Sequence, residues 1–493
     1  MQYACQCKQR ARALYLLSIV PRCVRAHLSS ASPVLNHSPA NEILNSTGCD
    51  STLSRAEIRP APCCFTDFAP PYRCATNLRR EWDGVEYAPR ENPKGVPMKF
   101  GGIHLMQLPR PWTNESDRTL LNDALDLAEL SDQCGFDYVW GAEHHFLEEY
   151  SHSAAPEMFL AACSQRTKNV RLAHGIIQTP PLINHPARVA ERIAVLDLIS
   201  NGRCEFGMGS GATTTELDGF QVPQEEKKAM QLEGFRVALR MLVEEPFAGF
   251  EGQYVKVPGR NLVPKPLQKP HPPLWMACSR RDSIIDAARL GVGALTFTFI
   301  TPEESRQWVK DYYTTIENEC EPIGYAVNPN FAVAAPFLCD NDQKRVEEIA
   351  AENYGFFVYG LGHYSFFGEH RPAKSDIWND FKTKPKDAAG IEFTAKSCIG
   401  MPAMIRERLR EYEEAGIDQV IAVRQVGRLS LDQQCSSLRL FAKEVLPEFK
   451  DREQADARRR DERRARISEK AMAREPKQDA PHAETVILPA GRH

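Results

Sequence analysis

The stretch VWGAEHHFLEEY, Val139 to Tyr150, sets two adjacent histidines among three glutamates directly behind an apolar run. An imidazole titrates near neutral pH and can take or give a proton, so one of His144 and His145 reads as a general base. Metal ligation is the rival chemistry. A catalytic zinc wants several convergent N, O or S ligands, yet no H-E-x-x-H or H-x-H spacing stands at a strand end, and neighbours on an extended chain point to opposite sides. No metal is therefore expected. A histidine that caps a loop or bonds a carbonyl is the plain alternative.

Two further stretches carry chemistry. In GMGSGATTTEL, Gly207, Gly209 and Ala212 satisfy G-x-G-x-x-A behind a strand-like run. A dinucleotide site also needs an acidic residue about 20 positions on, at the end of the next strand. Here that region, EEKKAMQLEGFRVALRML, reads as helix. What remains is close approach of the backbone to a flat or phosphate-bearing ligand, with an ordinary turn as the alternative. In LWMACSRRDSIIDAARLG, Ser279 and the amides behind it stand at the start of a helix, where unpaired donors favour an anion, and Arg280 or Arg281 can add a bidentate contact. The competing reading is an N-cap flanked by surface arginines.

The elements that must position these groups alternate regularly. MKFGGIHLM, FDYVW, VRLAHGII, RCEFGMG, PPLWMAC, VGALTFTFI, NFAVAAPFLC and DQVIAVR are strand-like runs, each followed by a helix-period segment. Eight β/α units predict a closed (β/α)8 TIM-type barrel over residues 98–449, an α/β fold with insertions; an open doubly wound sheet is the rival. One insertion is a hairpin around FEGQYVKVPGR. The other is a Gly-, His- and aromatic-rich stretch from Tyr359 to Phe393. In a barrel the strand ends form one rim, and here they offer His104, then Glu143, His144 and His145, then Gly175 and Gln178, then Gly207, Gly209, Ser210 and Gly211, then Cys278, Ser279, Arg280 and Arg281. Small, polar and cationic groups on one rim suit an anionic cofactor with an imidazole beside its reactive part.

Composition narrows the partners. With 42% hydrophobic residues, 26% charged residues and a net charge of −4, no basic face points to nucleic acid or an anionic membrane, and a small molecule is the expected partner. Seven of the fifteen cysteines precede Met98 and the other eight are scattered without C-x-x-C, which fits free thiols in a reducing, cytoplasmic setting. Residues 1–97 read as a disordered or targeting-like extension: no acid precedes Asn41, basic residues surround ALYLLSIV, and the rest is rich in Pro, Ser and Asn. Residues 450–493, nearly all charge at first, read as a solvated tail or frayed helix.

The motifs EHHF, NHPARVAERIAVLDLISNGRCEFGMGSG, PPLWMACSRRDSIIDAARLGVGAL and IGMPAMIRERLREYEEAGIDQVIAV, in that order, resemble the bacterial luciferase-like, flavin-dependent monooxygenase family over about Met98 to Phe449. The resemblance implies a barrel with an inserted segment and reduced FMN as cosubstrate, delivered by a separate flavin reductase. It also implies molecular oxygen as oxidant, a small organic substrate, and a dimer, homo- or hetero-. One branch uses the deazaflavin F420 for hydride transfer, and a non-catalytic flavin-binding relative is a third reading. His144 matches the family's base beside the flavin, accompanied by His145 and Glu143, and Glu216 stands roughly where luciferases have an aspartate close to the flavin. His144, His145 and Glu216 are thus the expected catalytic residues. Gly175 and Ile176 match the end of strand three behind the flavin ring, where the family often has a non-prolyl cis peptide. Ser279 is retained in the phosphate loop beside Arg280 and Arg281. Ser210, next to Gly209, replaces a phosphate-contacting arginine, and Cys278 replaces a glutamate that contacts the flavin; these departures tell against light emission. Trp140, Trp275 and the Tyr359–Phe393 insertion would keep water out.

Overall fold

Eight parallel strands close on themselves in the computed structural model, which describes residues 98–297, 299–383 and 397–474. They are β1 (Lys99–His104), β2 (Tyr138–Gly141), β3 (Arg171–His174), β4 (Cys204–Gly209), β5 (Leu274–Cys278), β6 (Gly293–Thr296), β7 (Phe331–Cys339) and β8 (Gln419–Arg424). Each pairs with the next, and β8 returns to β1 with Lys99 opposite Gln419 and His104 opposite Arg424. The closed topology excludes the open sheet, and all eight strand-like runs take their places in it. The helices of the repeat are α1 (Ser116–Gln133), α2 (Pro156–Arg166), α3 (Pro186–Ile199), α4 (Lys227–Val243), α5 (Arg281–Arg289), α6 (Pro302–Glu319), α7 (Pro402–Ala415) and α8 (Leu431–Glu444). The expected hairpin pairs Phe250–Glu251 with Lys256–Val257. The 1–97 extension lies outside the described residues.

Because strand side chains alternate, each strand feeds two cores. Phe100, Val139, Leu172, Phe206 and Val420 pack outward against the helices, while Ile103, Trp140, Ala173, Trp275, Leu295 and Ile421 fill the barrel. The two indoles meet edge to face at 5.2 Å. They fit because the facing positions are glycines: a methyl on Gly101 would press on Trp140, and one on Gly293 would overlap the ring of Trp275. Trp140 and Trp275 are therefore the floor beneath the rim rather than a wall above it.

Beyond Phe449, of the two readings of the charged stretch as solvated tail or frayed helix, the described residues up to Arg474 follow the helix. A ninth helix, α9 (Leu446–Met472), runs through the charged stretch and buries Ile467 and Ala471. Its charges have partners at the starts of the strands. Lys450 Nζ donates to Asp137 Oδ1 at 2.7 Å, Arg464 pairs with Asp418 at 3.6 Å and reaches Asn330, and the Arg463 guanidinium lies 3.6 Å from the Tyr313 ring centroid. Charge density hid the docking, because the few apolar contacts of the helix are spaced among cations that pair only in the folded barrel. Removing residues 451–493 is expected to lower the thermal midpoint by on the order of 5 °C. A circular dichroism melt unchanged by the truncation would contradict this docking.

Candidate active site

The loop behind β2 turns sharply, with Phe146 and Glu149 at φ of 63° and 52°. It sets His144 and His145 at the rim. Beside them lies the short helix Thr214–Gly219 that follows β4. Its start is a capping box: Glu216 Oε2 accepts from the Thr213 N–H at 3.2 Å and hydroxyl at 2.9 Å, while Thr213 Oγ1 accepts from the Glu216 N–H at 3.3 Å. The other carboxylate oxygen, Oε1, receives His144 Nδ1 at 3.0 Å, the His145 N–H at 3.2 Å and Gln178 Nε2 at 2.9 Å.

Glu216 is completely buried, which by itself raises a carboxyl pKa. The charge and hydrogen bond of His144, with the donors from Thr213 and His145, outweigh that and hold it at about 2. It is ionised at neutral pH and can only accept, so Nδ1 of His144 carries a proton. With Nδ1 engaged in this way, Nε2 of His144 has no hydrogen-bond partner among the described residues. This tautomer makes an imidazole a base. Glu216, expected as catalytic, is fully buried and meets His144 Nδ1.

His145 repeats the device on the other side. Its Nε2–H donates to Glu143 Oε1 at 2.9 Å, and that buried carboxylate also accepts from Asn184 Nδ2 at 2.7 Å and the Gln178 N–H at 3.1 Å. Aromatic rings border the pair, with Tyr150 5.6 Å from His144 and Phe220 4.9 Å from His145.

At the end of β3 the Gly175–Ile176 peptide is cis, as the resemblance implied. The glycines of β4 make room for that segment. A methyl on Gly207 would overlap the His174 carbonyl oxygen, and one on Gly209 would overlap the Ile176 side chain. The G-x-G spacing thus lets one loop of the protein lie against another.

The remaining rim residues divide. Ser279 and Arg280 are exposed and Ser210 is half-buried. Arg281, expected at the phosphate, turns away: its guanidinium pairs with Asp311 of α6 at 2.5 Å. Cys278 also faces away, because Ala277 lies on the barrel side of β5 and the next residue must point to the helices. Its thiol, pushed up to about 12 by burial, donates to the Met276 and Ser283 carbonyls at 3.3 and 3.4 Å. His104 is buried against Phe159, and burial beside Arg424 lowers its pKa to about 3. Lys227 was not anticipated. Its ammonium lies at the rim and donates to the Gly211 carbonyl at 3.1 Å. No group of three or more His, Cys, Asp or Glu side chains among the described residues is arranged to hold a metal.

This geometry has counterparts. A family described as luciferase-like monooxygenase matches residues 98–419. The chain belongs to that family. Among its relatives, the oxygenase component of the flavin-dependent trigonelline monooxygenase of Acinetobacter baylyi is 24% identical over 68% of this chain and 92% of its own. The uncharacterized protein y4vJ of Sinorhizobium fredii is 33% identical over 36% of this chain, which spans half of that relative's length. Monooxygenase RslO1 from Streptomyces bottropensis superposes with a TM-score of 0.58 at 25% identity, over 71% of this chain and all of its own. For a luciferase-like monooxygenase the two His–Glu pairs, the rim serines and two rim cations form a donor set suited to a planar, phosphate-bearing cofactor.

Replacing Glu216 tests the centre of this network. Its folded pKa of about 2 lies below the ordinary value of about 4.3, so its stabilisation is fully present above about 4.3 and fades as pH falls towards 2. Glu216→Gln is expected to lose roughly 1–3 kcal/mol in urea unfolding at pH 7. The gap to the unsubstituted protein should narrow below pH 4; one constant with pH would refute the assignment.

Proposed function

We propose that the chain is the oxygenase component of a two-component flavoprotein monooxygenase that uses reduced FMN and molecular oxygen to oxidise a small organic substrate. When bound, reduced FMN supplies the electrons that activate oxygen. The observation that carries this reading is His144: its Nδ1–H is fixed by an ionised, buried Glu216 and its Nε2 is left with a free lone pair at the rim. That nitrogen takes or returns the proton that the oxygen chemistry moves. His145 is held by Glu143 in the same way and orients the substrate or cofactor edge.

Water is kept out from below by Trp140 and Trp275. From above it is kept out by the insertion behind β7, which continues from the helix Gln343–Gly362 through the π-helical turn His363–Phe367 to the short helix Ile377–Thr383. The histidine loop holds this cover. Glu149 accepts from the N–H groups of Ile377 at 2.6 Å and Trp378 at 3.1 Å, and Glu148 accepts from the Ala373 N–H at 2.7 Å. A separate reductase supplies the flavin. A reducing compartment such as the cytoplasm suits the eight unpaired cysteines of the described residues, and no helix there is long and apolar enough to cross a membrane.

Mixing the protein with reduced FMN without oxygen, then admitting oxygen and following flavin absorbance, tests the reading. The expected course is reoxidation slower than that of free flavin, or accelerated by substrate. In His144→Ala the oxygen-dependent step should slow roughly 10²-fold with flavin affinity nearly unchanged. Reoxidation at the free-flavin rate under all substrates, or turnover only with reduced F420, would overturn it. Glu149→Ala, by unfastening the cover, is expected to raise hydrogen peroxide release per NAD(P)H consumed several-fold in an assay coupled to a reductase.

A further inference from the structure

Ser210 stands where luciferases place a cation, so the charge for a phosphate must come from elsewhere in this chain. At the start of α4 two lysines are adjacent. Lys228 points away and pairs with Asp286 of α5 at 2.6 Å, which ties the start of α4 to α5. Lys227 points to the rim and gives one of its three donors to the Gly211 carbonyl. The same division holds at the start of α5, where Arg281 pairs with Asp311 and Arg280 has no ion-pair partner among the described residues.

Lys227, held at Gly211 behind β4, and Arg280, behind β5, thus stand at the ends of two neighbouring strands. Burial lowers the pKa of the Lys227 ammonium, the nearby Glu216 raises it, and Arg280 pushes it down again. Glu216 offsets part of this charge from nearby, but no contact joins it to either cation, because its carboxylate already serves five donors and has no exposed surface. Two like charges at neighbouring strand ends, beside an exposed serine and without an ion-pair partner among the described residues, are suited to an anion that bridges them.

We infer that Lys227 and Arg280 form the cationic clamp for the cofactor's phosphate, with Ser279 and Ser210 completing it, so that Lys227 from helix α4 replaces the cation missing from the end of strand β4. The inference rests on the flavin reading of the site and names the group that tells FMN from its dephosphorylated form. Phosphate contributes nothing to the imidazole chemistry, so this contact acts on binding alone.

The test is flavin binding, by fluorescence quenching, to the full chain and to Lys227→Met, Lys227→Arg and Lys228→Met, with FMN and riboflavin in parallel. Lys227→Met is expected to weaken FMN at least about tenfold and leave riboflavin unchanged, Lys227→Arg to restore most of the loss, and Lys228→Met to change neither. Raised salt should erode FMN affinity in the unsubstituted protein more than in Lys227→Met. If that protein prefers FMN to riboflavin and Lys227→Met keeps the preference, or loses both flavins equally, Lys227 is not in the clamp although the flavin reading stands. If it binds neither flavin, the flavin reading falls and this inference with it.

Discussion

A buried carboxylate must be hydrogen-bonded on every side, and the rim of this barrel is organised around that requirement. Glu216 is supplied by donors from three places: the loop after β2, the Ile177–Gln178 segment after β3, and the turn after β4. None of these loops can shift without uncovering part of a charge in a water-poor setting. The same contacts engage Nδ1 of His144, so the interaction that holds the loops in register also leaves Nε2 as the imidazole nitrogen without a partner among the described residues. Glu143 and Gln178 extend the arrangement, since the Gln178 amide bridges Glu216 and the Glu143 carbonyl while its backbone N–H meets the Glu143 side chain. Position and reactivity of the pair thus have one source.

Most of the barrel was legible in the residues because a strand covered on both faces reads as an unbroken apolar run, and each such run is followed by a helix with a clear period. EHHF was legible too, since charged residues immediately behind a buried strand have to lie at a strand end. Neighbours in sequence take different places in the fold. In CSRR, strand alternation turns Cys278 outward and the Asp311 carboxylate draws Arg281 away, leaving Ser279 and Arg280. In G-x-G-x-x-A, two of the small positions accommodate the His174 carbonyl and Ile176. The T-x-x-E of Thr213 to Glu216 is a capping signal and could have shown that Glu216 faces inward. Lys227 gave no local signal at all; it reaches the rim only because α4 begins beside it.

The two ends of the barrel divide the work. At the strand starts, α9 brings Lys450 and Arg464 to Asp137 and Asp418, and the Arg171–Glu205 pair sits inside with the Trp275 indole N–H on Glu205. None of these groups takes part in the rim chemistry, and their contribution is to stability. At the strand ends the groups are unpaired or paired with just one side exposed, the less stable arrangement, sustained by the opposite face.

Glu148 and Glu149 follow His145 by three and four positions, and they hold the start of the Ile377–Thr383 helix. Access and reactivity are therefore linked mechanically. Lifting the cover strips a fully buried carboxylate of two backbone donors, each costing on the order of 1 kcal/mol, and pulls on the segment that aims the imidazoles. The open form is thus both disfavoured and disarmed. On the proposed reading, a ligand that helps the cover to close also aligns the imidazole beneath it.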